Sequence, residues 1–199
     1  MITTPSTDVH VDSYAHHADA APKARLITER AAQALAVLRI TVGLTFVWAF
    51  LDKAFGLGWS TTSAKAWVNG GSPTKGFLSN VKAGPFASMF HSFAGATWAD
   101  WLFMIGLAGI GIALVAGVAV RSAAVSGSVL LGLMWVAEWP LARHLTGGAP
   151  TGSTNPLIDS HVISAVVLIV VALTYAGTTW GLGKRWARVS FVSHHGWAV

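Results

Sequence analysis

A chain of 199 residues that is 53% hydrophobic and 11% charged, with a mean hydropathy of +0.57, cannot cover a water-facing surface; soluble domains carry about 25% charged residues. The net charge of +5 would suit nucleic acid, but the basic residues sit at the ends of apolar runs, where Lys and Arg report topology, and no basic stripe interleaves with aromatics. With no cysteine, disulfides, cysteine-ligated iron–sulfur clusters and covalent haem are excluded, and thiol chemistry falls to a partner or a bound cofactor.

Residues 1–30 are polar. They hold His10, His16 and His17 among Asp8, Asp12, Asp19 and Glu29. The composition predicts a solvated cytoplasmic tail rather than a metal site, and it lacks the order of a signal peptide.

Four apolar segments follow, predicting an all-α integral membrane protein with a four-helix transmembrane bundle over 31–183. The first helix is expected over 31–55, with Arg39 inside it and Gly56 as its left-handed end. The second is expected over 100–120, where Asp100 and Arg121 bracket twenty uncharged residues; at 1.5 Å each these span about 30 Å, a bilayer core. Gly109, Ala113 and Gly117 in this helix offer a small face for close helix contact. The third is expected over 122–142 and the fourth over 157–182, with Asn155-Pro156 as its N-cap and first residue. Residues 184–199 form a basic tail.

The long connection after the first helix is predicted to carry short interfacial helices. Ser72-Pro73 starts one, and Pro85 starts another that puts Phe86, Phe90 and Phe93 on one face. Counting Lys and Arg gives eight on the side of the termini and five on the other, which predicts both termini in the cytoplasm.

Ionisable residues converge at the outer level. Asp52 and Lys53 end the first helix, Asp100 starts the second, Glu138 and Arg143 lie near the end of the third, and Asp159 and His161 start the fourth. Charges at membrane depth usually face the bundle and find partners. Glu138 is the sharpest case, with Lys53 or Arg143 as its expected partner. Trp48, Trp135 and Trp139 fall at the same level and can wall a pocket for an amphiphile with a polar head. A quinone fits, because its two-electron reduction takes up two protons. Glu138, His161 and Asp52 are then candidates to handle protons. Lys53, Arg143 and Asp159, with the three tryptophans, are candidates to hold the ligand. No metal site is expected.

WAFLDKAFGLG, WVNGGSPTKGFL, MWVAEWP and TGSTNPLIDSH resemble the DoxD branch of the DoxX/DoxD family, over about residues 38–182. The resemblance implies a four-helix bundle in a bacterial or archaeal cytoplasmic membrane. It also implies a link to thiosulfate:quinone oxidoreductase, in which a DoxD-type subunit pairs with a small DoxA-type subunit, oxidises thiosulfate to tetrathionate and passes electrons to quinone. A non-catalytic accessory subunit of a respiratory assembly is the alternative.

Overall fold

The computed structural model describes residues 27–190 and 192. The three histidines expected in the N-terminal tail, and most of the end of the C-terminal tail, lie outside the described residues.

Helix α1 runs over Glu29–Phe55. It starts where Thr28 Oγ1 accepts the Ala31 N–H at 3.2 Å and ends at Gly56, whose φ of 65° is the expected left-handed cap. Four short elements follow. Trp67–Asn69, a single 3₁₀ turn, packs against α1, and α2 (Lys75–Leu78) and α3 (Ala87–Phe93) pack against each other. Helix α2 begins later than Ser72-Pro73 suggests, and α3 begins at Ala87 rather than Pro85. Helix α4 (Thr97–Ala116) then leads through a three-residue link into α5 (Val120–Glu138). Helix α6 covers Ser160–Leu173, and a one-turn helix, α7, covers Gly183–Trp186.

Among the described residues three helices, α1, α4 and α5, are long and apolar enough to cross a membrane. The fourth falls short of its expected 157–182. Its fourteen residues rise about 21 Å, against a bilayer core of about 30 Å. Two departures account for this. At its start the N-cap is Asp159, not Asn155, which instead accepts the N–H groups of Leu157 and Ile158 at 2.9 and 3.0 Å. At its end the backbone turns left-handed at Tyr175, φ 52°, and enters a glycine-rich knot. The third helix likewise stops at Glu138 rather than 142, because Trp139 adopts φ 45° and Pro140 follows. A proline disfavours helical backbone in the residue before it.

Helices α1, α4, α5 and α6 close a ring: α1 packs on α4 and α6, and α5 packs on α4 and α6. Their core is Phe46, Met104, Leu107, Ile110, Leu114 and Leu168, all buried. The outer faces are equally apolar: Ile105 and Ile112 are each 62% exposed and Val125 is 67% exposed. A helix that is apolar on every side suits lipid, not water. A core surrounded by lipid would gain little from burial itself, so contact packing and close backbone approach would have to hold such helices together.

That approach occurs where α1 crosses α4, at Gly43 and Gly111. A methyl group on Gly111 would meet the Val47 backbone nitrogen at 2.8 Å, and one on Gly43 would meet Leu114 Cβ at 2.9 Å. The predicted small face is therefore displaced. Gly109 has open space around it, and Gly117, φ 72°, caps α4 against Arg39.

Candidate functional site

Two cavities lie side by side where α1 and α5 end and α4 begins. The first, about 700 Å³, is the more polar of the two, with about half of its wall polar, from residues that include Asn80, Lys82, Glu138, Thr151, Asn155 and Asp159. The second, about 310 Å³, is apolar, and its walls include Lys53, Phe90, Phe93, Trp98, Leu130 and Met134. Phe77 and Ala137 line both, so one layer of side chains separates them.

The backbone builds the polar cavity from the break after α5. The left-handed turn at Trp139 sends the chain away from the helix axis and leaves Glu138 as the last helical residue. The Trp139 ring packs on Gly84, where a methyl group would meet it at 2.7 Å. The returning connection is pinned by Thr151 Oγ1, which donates to the Ala142 carbonyl at 2.8 Å. It delivers Asp159 as the N-cap of α6, where Oδ1 accepts the Val162 N–H at 3.0 Å. The other oxygen, Oδ2, lies 2.9 Å from His161 Nδ1, and Glu138 Oε2 lies 3.8 Å from the same nitrogen. Burial alone would raise the Asp159 carboxyl, but hydrogen bonds from His161 and the Val162 N–H outweigh it and hold the group below the usual carboxylate range.

Glu138, Asp159 and His161 thus come together as the sequence suggested, but the expected partners of Glu138 do not. Lys53 lines the apolar cavity. Arg143 is exposed and lines neither of the two cavities.

Asp52 is removed from the cluster. It is 1% exposed and accepts the Ser60 N–H at 3.0 Å, the Ser60 hydroxyl at 2.6 Å and the Trp59 N–H at 3.3 Å. Its carboxylate folds the chain back after Gly56, which leaves no free oxygen aimed at either cavity. Asp100 does the same for the next loop, accepting the Ser72 hydroxyl at 2.9 Å, the Thr74 N–H at 2.9 Å and the Thr74 hydroxyl at 2.6 Å.

Trp48, Trp135 and Trp139 line neither cavity. Trp48 packs edge-on to Trp59 at 6.1 Å, and Trp135 lies 6.3 Å from Trp139. The aromatic wall is instead Phe77, Phe90, Phe93, Trp98 and Phe103. The i, i+3 spacing of Phe90 and Phe93 on α3 carried that signal. Phe86 turns the other way, edge-on to Trp139 at 6.3 Å.

Arg39, at the opposite end of the bundle, is fully buried. Its guanidinium donates to the carbonyls of Leu114, Val115 (3.0 Å), Thr179 (3.3 Å) and Trp180 (3.0 Å). One cation thereby ties the end of α4, where the Leu114 carbonyl also accepts the Gly117 N–H and the helix dipole favours positive charge, to the bend after α6.

Comparison of the chain with protein-family models, with curated proteins and with solved structures finds no match.

Proposed function

We propose that this chain is a DoxD-like membrane subunit of a quinone-linked redox complex, with the quinone held in the apolar cavity. The observation that carries this reading is the pairing of the cavities. A quinone needs an apolar channel for its isoprenoid tail, aromatic faces for its ring, and a donor for its carbonyl oxygen. The apolar cavity offers Phe90, Phe93 and Trp98 as faces and Lys53 as the donor. Reduction of the ring also takes up protons, and the polar cavity behind Phe77 and Ala137 brings water within one side chain of it.

In this reading α1, α4, α5 and the shorter α6 form a four-helix transmembrane bundle with both termini in the cytoplasm. The DoxD resemblance adds thiosulfate as the electron donor and a DoxA-like subunit as the partner. Met134→Trp fills the apolar cavity without touching the polar one. Protein purified gently from membranes should carry quinone, and the Met134→Trp variant should have lost most of it at an unchanged melting temperature. Full quinone retention in that variant sinks the assignment.

A second reading, a non-catalytic accessory subunit of a respiratory assembly, is favoured by one observation. The hydrogen bonds described for Asp52, Asp100 and Arg39 all go to backbone and loop groups. Co-purification with cytochrome subunits, with turnover unaffected by Met134→Trp, would select it.

A further inference from the structure

We propose that Glu138, Asp159 and His161 bind one divalent transition-metal ion of the zinc, manganese or ferrous kind, with open coordination positions facing the polar cavity. The ligand atoms these three side chains can offer lie within 4.8 Å of one another. His161 Nδ1 stands 2.9 Å from Asp159 Oδ2 and 3.8 Å from Glu138 Oε2. Around a tetrahedral ion with bonds of about 2.0–2.2 Å, neighbouring donors are about 3.4 Å apart. Both distances to His161 are within about half an ångström of that spacing, and the Glu138 and Asp159 oxygens, at most 4.8 Å apart, reach it by a closure of no more than about 1.4 Å.

The donor set selects the class of ion. An imidazole nitrogen with two carboxylates suits borderline metals, whereas magnesium and calcium prefer oxygen alone, and the chain has no thiolate for softer ions. Charge agrees. With a neutral imidazole the cluster carries two negative charges, and a divalent ion cancels them. Lys82 is the one cationic side chain among the residues lining that cavity.

Position agrees too. Glu138 ends α5, where the helix dipole favours a cation. The Val162 N–H holds Oδ1 of Asp159, so Oδ2 is fixed in direction before an ion arrives. His161 is the anchor, with its side chain 13% exposed, while Glu138 at 47% is free to swing onto the ion. Three protein ligands beside a cavity of about 700 Å³ make an open site, which exchanges water or substrate, rather than a closed structural one.

The site stands apart from quinone binding, because none of the three residues lines the apolar cavity. An ion and a transferable proton compete for the same lone pairs, so a filled site replaces the proton handling that the sequence suggests for Glu138 and His161.

The test uses the full chain in detergent, freed of metal by chelator and titrated with Co²⁺ and Zn²⁺. One Co²⁺ per chain should bind with visible absorption bands of low-symmetry coordination, and Zn²⁺ should displace it. Glu138→Gln and His161→Gln should each weaken binding at least tenfold, and Asp159→Asn, which keeps a cap acceptor, should do likewise. The combined His10→Ala, His16→Ala, His17→Ala variant should bind as the parent does. Melting temperatures of the metal-free proteins separate lost ligands from lost fold; should one substitution unfold the protein, the other two decide. Parent protein that binds no Co²⁺ above background, or binding that survives Glu138→Gln and His161→Gln, overturns the proposal, as does binding abolished by the tail substitutions. Quinone content of the Glu138→Gln variant, expected to be unchanged, keeps this outcome separate from the fate of the quinone reading.

Discussion

Arg39 shows how one side chain can serve as a structural joint. A buried polar group left without a partner costs about 1–3 kcal/mol, and Arg39 serves four carbonyls from two parts of the chain. Arg39→Met should therefore lower stability by several kcal/mol, read as a large drop in melting temperature in detergent. Arg39→Lys should recover part of it, since an ammonium has three donors but no planar fork to reach both helix ends. Asp100→Ala should act more locally. It strands the Ser72 and Thr74 donors, and limited proteolysis should then cut faster between residues 70 and 80. The sequence marks both residues as unusual, because charges in apolar runs need a reason. It does not show their partners. Those of Arg39 lie 75 to 141 positions further along, and nothing in the local pattern points to them. For Glu138, Asp159 and His161 the sequence shows a shared level but not the contact, which arises because a broken helix and a loop return the chain to Glu138.

At the scale of elements, glycine decides where helices touch. Gly111→Ala places a methyl group 2.8 Å from a backbone nitrogen of α1, and backbone cannot move aside as a side chain tip can. The variant should push α1 from α4 and destabilise the bundle by about 1–3 kcal/mol, whereas Gly109→Ala, in open space, should be neutral or slightly stabilising. Thermal unfolding of the two variants side by side checks the contrast. Helix starts and stops were legible where a strong local signal exists, as at Gly56. They were misplaced where a residue had to adopt an unfavourable backbone for tertiary reasons. Trp139 and Tyr175 are bulky residues at positive φ; Pro140 is a local signal for the stop at Trp139, whereas no proline follows Tyr175 to signal one there.

For the whole molecule, composition alone separates lipid from water, and the apolar outer faces of α4 and α5 agree with it. Orientation rests on the Lys and Arg count, and the absence of cysteine makes it simple to check. An introduced cysteine is the sole thiol in the chain, so Thr154→Cys should react with an impermeant maleimide from outside intact cells. Ser190→Cys should react only after the membrane is opened. The reverse pattern would put both cavities on the cytoplasmic side.

The short α6 has a consequence for the surrounding lipid. In the four-helix membrane reading proposed above, a fourteen-residue helix beside three of nineteen or more residues would create hydrophobic mismatch on one flank only. In a bilayer the leaflets on that flank must thin, or water and headgroups must dip toward the helix ends. Because α6 begins at Asp159, that dip falls beside Glu138, Asp159 and His161. Aqueous solutes then reach the triad at a depth where elsewhere around the bundle they would meet acyl chains. Bilayer thickness should tune access to it, with reconstitution into longer-chain lipids slowing entry from the water phase.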